Sequence, residues 1–165
     1  MNSYIKLMRP LNGIMSVIAV WIGTLLAGAL FVPDNSIIFG MVTVFLISGG
    51  GMAINDFFDI EIDKLNKPNR PLASGKVSKR AALAYSGILF IIGNAAAFMI
   101  SFEAFITAVI VSALLIAYAA HLKKTILIGN LIVSGLVGLT FVFGGIIIGD
   151  YIPVLPLALL AFLSN

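Results

Sequence analysis

The sequence predicts an all-α fold, a polytopic bundle of transmembrane helices, on three observations. Of its 165 residues 61% are apolar and 10% charged, with a mean hydropathy of +1.13, far outside the range of a soluble globular domain. The apolar residues gather in runs close to the ~20 that an α-helix needs to cross a bilayer. All ten Lys and Arg fall on one side of the topology that those runs imply, the signature of a multi-pass protein with its basic connections in the cytoplasm.

The segment 1–10 is short and polar and flows into a full-length apolar run. It lacks the short hydrophobic stretch and small-residue cleavage site of a signal peptide, so the first helix is read as permanent. Five spans follow, at 11–32, 37–54, 81–100, 102–120 and 126–149, and a sixth apolar run, 153–163, is too short to cross unaided. Pro10 suits a helix start, where its missing N–H costs nothing, and Ser78 is placed to cap the third span. Tyr4 and Tyr151 suit the interface, whereas Trp21 lies mid-span and is read as a packing residue. Small residues recur at Gly23, Ala27, Gly87, Gly93, Gly135, Gly138, Gly145 and Gly149, and close helix packing is their reading. Cysteine is absent, so disulfides and thiolate metal sites are excluded.

Lys6 and Arg9 precede the first span, six basic residues lie between spans two and three, and Lys123 and Lys124 lie between spans four and five. The opposite connections carry Asp34, Glu103 and Asp150 and no cation. The N-terminus and the basic loops are therefore expected in the cytoplasm. The net charge of +3 is a topology signal, and nucleic acid is not an expected partner, since no soluble domain presents the cations.

The chemistry is expected between Gly49 and Arg80, which holds four of the seven acids (Asp56, Asp59, Glu61 and Asp63) and six of the ten basic residues. A helix continuing over 54–64 would bring Asn55, Asp59 and Asp63, spaced i, i+4 and i+8, onto one face. The glycines at 49, 50 and 51 weaken a helix by roughly 1 kcal/mol each relative to alanine. They point either to an irregular turn or to close approach of a ligand. Two prolines and a glycine between Asn66 and Gly75 exclude a continuous helix, so this stretch is a structured loop. Asn12, a polar group just inside the first span, needs a partner, either an interhelical hydrogen bond or a ligand head group. His121 is read as an interfacial side chain. Catalytic triads, zinc spacings, P-loops and EF-hands find no match.

Hard oxygen ligands one helical turn apart suit Mg²⁺, which takes one or two carboxylates, keeps waters and accepts phosphate oxygens. Arg70 offers a planar fork to phosphate, and Lys67 and Lys123 offer point charges. A solvated juxtamembrane face would explain the basic residues, but it gives no reason for four acids on the side that the positive-inside trend reserves for cations. Carboxylates and cations at the boundary, under an apolar bundle, describe a site for a diphosphate head with a hydrocarbon tail.

These residues resemble the UbiA-type intramembrane prenyltransferases. Asn55-Asp56-x-x-Asp59-x-x-x-Asp63, then Asn66-Lys67-Pro68-x-Arg70-Pro71 and Ser74-Gly75, look like that family's first aspartate-rich motif and its loop. Arg9-Pro10-x-Asn12, Tyr118 with Lys123-Lys124, and Gly129-Asn130 also fall where the family has similar residues, so the likeness runs the length of the chain. The resemblance implies a nine-helix prenyltransferase fold, Mg²⁺ as cofactor, and an isoprenyl diphosphate and a membrane-associated lipid acceptor as partners. Residue by residue it implies metal or diphosphate contact for Asn55, Asp59 and Asp63, with Asp59 and Asp63 catalytic. It implies substrate contact for Asn12, Arg70, Tyr118 and Lys123. The family has a second aspartate-rich motif at the cytoplasmic end of span six, and Asn165 heads toward that point. Residues 1–165 are thus expected to be the N-terminal part of a longer enzyme, with the first motif and its loop at 55–80, and copies could pack to cover the incomplete bundle. Within the family the likeness is greatest to the archaeal lipid branch, which transfers a geranylgeranyl group to geranylgeranylglyceryl phosphate. Aromatic, quinone or chlorophyll-type acceptors are the alternative within the family. A membrane transporter of cations or phosphorylated solutes is the alternative outside it, disfavoured because ionisable residues are nearly absent from the spans.

Overall fold

A computed structural model describes residues 2–164 and contains helices, turns and loops but no strand among them. The helices are α1 (Ser3–Met8), α2 (Pro10–Leu26), α3 (Asn35–Phe58), α4 (Ile60–Asn66), α5 (Lys79–Phe98), α6 (Phe102–Ala120), α7 (Ile126–Ile148) and α8 (Leu155–Leu163). Short 3₁₀ turns, Leu122–Lys124 and Ile152–Val154, precede α7 and α8. Four helices, Asn35–Phe58, Lys79–Phe98, Phe102–Ala120 and Leu127–Ile148, are long and apolar enough to cross a membrane. The chain is a multi-pass membrane protein. Asn165, expected to head for the second motif, lies outside the described residues.

The first expected span is shorter than its apolar run. Gly28 adopts φ +95, Ala29 N–H donates to Thr24 O at 3.0 Å and Gly28 N–H to Leu25 O at 3.1 Å. This is a Schellman ending, so α2 stops at Leu26 rather than 32. Its 17 residues rise about 25 Å. At its other end Arg9 sits in the left-handed region, φ 51, separating α1 from Pro10, the first residue of α2.

α3 is the mast of the bundle, packing against α1, α2, α5, α6 and α7. Asp34 caps it by accepting from Ile37 N–H at 2.9 Å. The glycines at 49, 50 and 51 neither turn the chain nor interrupt the helix, which overturns the irregular turn expected from their clustering. A Cβ on Gly49 would lie 2.5 Å from Met8 Cγ, one on Gly50 3.2 Å from Phe90 Cδ1 and one on Gly51 3.1 Å from Leu115 Cδ1. Close approach of α1, α5 and α6 to α3 explains all three. Ser86 Oγ donates to Gly50 O at 2.9 Å and Thr43 Oγ1 to Gly93 O at 3.2 Å, the interhelical bonds that serve where lipid supplies no hydrophobic drive.

α2 and α7 cross closely as well: a Cβ on Gly23 would lie 2.2 Å from Phe141 O and one on Gly144 2.4 Å from Val20 O. The packing role expected of small residues fails at Gly87 and Gly135, which have nothing within 4 Å, and at Gly149, whose φ of +88 ends α7. Ser78 caps α5 as expected, accepting from Ala81 N–H at 3.1 Å. The loop after α4 is pinned by Leu72 and Val77, each 3% exposed and packed with Leu7, Ala53 and Ala82.

Candidate active site

The polar residues converge where α3 ends, beside the α1–α2 junction, the loop after α4 and the 3₁₀ turn before α7. The helix expected over 54–64 bends at its middle: Asp59, at φ −92 and ψ 5, ends α3, and α4 starts at Ile60. The backbone bond from Asp63 N–H to Asp59 O, 2.8 Å, carries the turn across the bend.

The acidic residues consequently divide into two networks. In the first, Lys123 Nζ donates to Asp59 Oδ1 at 2.6 Å and to Asn55 Oδ1 at 3.2 Å, and Asn55 Nδ2 donates to Asp59 Oδ2 at 3.0 Å. In the second, Arg9 reaches Asp56 Oδ1 at 2.5 Å and Arg70 reaches it at 3.1 Å, while Arg70 also bonds Asp63. Asp63 is thereby held by Arg70 instead of joining Asn55 and Asp59, and the three-oxygen face expected from the spacing is shared between the networks. Among the described residues Glu61 pairs only with exposed Lys64, and Lys67 is exposed on the loop with Lys6 nearby.

The sequence reading left out Arg9 and Asp56 as site residues. Asp56 is 2% exposed, and a buried carboxylate requires pairing; two guanidinium groups supply it. Positions 56 and 63 lie seven apart, so on a helix they return to within about 20° of one another, a spacing that could have grouped Asp63 with Asp56. The left-handed backbone at Arg9, by contrast, has no mark in the local sequence.

Above the networks lies an apolar cavity of about 440 Å³. Arg9, Asn12, Asn55 and Tyr118 line its polar end, and Thr43 and Phe143 its far end. The α3 residues Thr43, Ile47, Gly51 and Asn55 form one stripe along its wall, a length of about 18 Å at the helical rise. Asn12 Nδ2 contacts Met52 Sδ at 3.5 Å. Asn12 and Tyr118 thus line the cavity, and His121 is exposed at the end of α6.

Among the described residues no three His, Cys, Asp or Glu side chains gather as a self-sufficient metal cage. What the first network offers is a pair of hard oxygen donors, Asn55 Oδ1 and the Asp59 carboxylate, already turned toward one cation, the Lys123 ammonium. That donor set fits Mg²⁺, which needs only one or two protein oxygens when substrate phosphate completes its shell.

Residues 16–165 match the UbiA prenyltransferase family. The chain belongs to that family. Over 165 residues it is 42% identical to a digeranylgeranylglyceryl phosphate synthase from Methanothermobacter thermautotrophicus, covering 100% of this chain and 58% of that protein. A solved structure of a digeranylgeranylglyceryl phosphate synthase superposes with a TM-score of 0.92 at 40% identity, over 98% of this chain and 58% of that one. The fold also matches a UbiA homologue from Archaeoglobus fulgidus bound to GPP and Mg²⁺, with a TM-score of 0.77 at 19% identity over 98% of this chain and 59% of that one. The chain spans somewhat over half the length of these UbiA relatives.

Proposed function

We propose that this chain forms the prenyl-diphosphate-binding part of an Mg²⁺-dependent intramembrane prenyltransferase, the N-terminal part of a longer enzyme with its first aspartate motif and loop at 55–80. The proposed reaction transfers a geranylgeranyl group from its diphosphate to geranylgeranylglyceryl phosphate, forming an ether bond of archaeal lipids. One observation carries the reading: Arg9 and Asn55 line the polar end of an apolar cavity long enough for a prenyl tail, with Asp59 and Lys123 bonded to Asn55 beside it. The similarity to digeranylgeranylglyceryl phosphate synthases supports the choice of acceptor. In this reading the N-terminus and the site loops face the cytoplasm, as the confinement of the basic residues to one side supports.

Asn55 and Asp59 would hold the metal; Asp63 joins them only if its bond to Arg70 opens. When bound there, Mg²⁺ would supply positive charge against the departing diphosphate. Lys123 and Arg9 add cationic donors for the same oxygens, which lowers the barrier because charge accumulates there as the allylic C–O bond breaks. Asp56 and Asp63 hold Arg9 and Arg70 in place for that task. Asn12 and Tyr118 border the position of the first prenyl carbon, and Ile47, Val111, Leu115 and Val137 surround the tail and keep water from the cation. The acceptor hydroxyl captures that cation and releases its proton.

The test offers the purified full-length enzyme, in Mg²⁺, labelled geranylgeranyl diphosphate with geranylgeranylglyceryl phosphate or an aromatic acceptor, and identifies the product. Transfer to the phosphoglycerol lipid, abolished in Asp59→Ala with folding retained, is expected. Undiminished transfer by Asp59→Ala would remove the site assignment, and transfer only to the aromatic compound would remove the acceptor.

A further inference from the structure

We infer that Lys123 holds the cation seat between Asn55 and Asp59 while the site is empty of diphosphate, and yields it only when a diphosphate takes up its ammonium group. The inference rests on reading Asn55 and Asp59 as that seat. Lys123 Nζ occupies it by geometry: 2.6 Å from Asp59 Oδ1 and 3.2 Å from Asn55 Oδ1. A Mg²⁺ ion binds oxygen at about 2.0–2.1 Å, on the same lone pairs and facing the same charge, so the two cations exclude one another.

The means of leaving is also present. Lys123 stands on the 3₁₀ turn Leu122–Lys124 between α6 and α7, outside α3. Its side chain is 18% exposed, and its four-carbon stem swings about rotatable bonds without moving a helix. Asn55, by contrast, is built into α3 and Asp59 caps its end, and their mutual hydrogen bond of 3.0 Å keeps the two oxygens oriented whichever cation sits between them. A diphosphate arriving at the mouth brings oxygens that can accept from the ammonium group, and its departure from Asp59 frees the donors. Metal and diphosphate should therefore bind with positive coupling, each weak without the other, and by linkage the coupling is reciprocal. In the absence of diphosphate the site disfavours a bare divalent ion, which ties metal loading to the arrival of substrate.

The experiment titrates Mn²⁺ into the purified protein and follows free ion by electron paramagnetic resonance, with and without inorganic diphosphate, in the unaltered protein, Lys123→Met, Lys123→Arg and Lys123→Met/Asp59→Asn. Without diphosphate, Lys123→Met is expected to bind Mn²⁺ about tenfold more tightly than the unaltered protein, Lys123→Arg to bind as weakly as the unaltered protein, and Asp59→Asn to abolish the gain. Diphosphate should strengthen Mn²⁺ binding in the unaltered protein by a larger factor than in Lys123→Met. Equal Mn²⁺ affinity with and without Lys123, lost on Asp59→Asn, overturns the exchange while leaving the seat. Mn²⁺ binding indifferent to Asp59→Asn overturns the seat itself, and with it the metal assignment in the proposed function.

Discussion

Replacing Asp56 by Ala removes the one carboxylate that both Arg9 and Arg70 grip. The side chain is 2% exposed, with Arg9 at 2.5 Å and Arg70 at 3.1 Å. Removing one member of a buried pair costs about 3–5 kcal/mol because the remaining charge loses its partner. Here the survivors are 30% and 20% exposed and Arg70 keeps Asp63, so partial rehydration lowers the expected loss to roughly 2–3 kcal/mol. Reversible unfolding in mixed detergent and SDS micelles, followed by helical circular dichroism, measures it. A double-mutant cycle with Arg9→Met isolates the pair; coupling of about 1–3 kcal/mol is expected for groups sharing a network. A loss below ~0.5 kcal/mol, or additivity within that margin, would refute the claim that this buried ion cluster fixes the α1–α2 junction to α3.

Three further outcomes follow from the geometry. Gly23→Ala should destabilise by about 1–3 kcal/mol, since its Cβ meets backbone 2.2 Å away that cannot rotate aside, whereas Gly87→Ala, with nothing within 4 Å, should be neutral or gain up to about 1 kcal/mol; the same SDS titration compares them. Arg9→Gly should be more stable than Arg9→Ala by about 1 kcal/mol, because both lose the ion pair but only alanine must hold the left-handed conformation. Val111→Trp, which fills the cavity wall, should weaken retention of labelled geranylgeranyl diphosphate more than that of dimethylallyl diphosphate in a filter-binding assay, because only the longer tail reaches the bulk.

The spans of α5, α6 and α7 were legible to within two residues at either end, since their boundaries follow hydropathy and, for α5, the cap at Ser78. The end of α2 was not, because a Schellman turn at Gly28 lies inside an unbroken apolar run and hydropathy is blind to it. The glycines at 49–51 misled for a different reason: helix propensity is a local cost, and the gain that offsets it comes from Met8, Phe90 and Leu115, distant in sequence. At the site, residue types and their neighbourhood were readable, as Asn55, Asp59 and Lys123 demonstrate. The partition of the acids was not, for it depends on a bend at Asp59 and on where Arg9 and Arg70 arrive from remote segments.

The glycine crossing of α2 with α7 bears on how the protein is made. The first long helix and the last before α8 are wall neighbours, so during synthesis the face of α2 around Gly23 has no mate until nearly the whole described chain has left the ribosome. The ring closes late, and its seam is a backbone-to-backbone contact too narrow for even a methyl group. A substitution there would therefore strand a helix hairpin already inserted in lipid, failing at assembly rather than at catalysis.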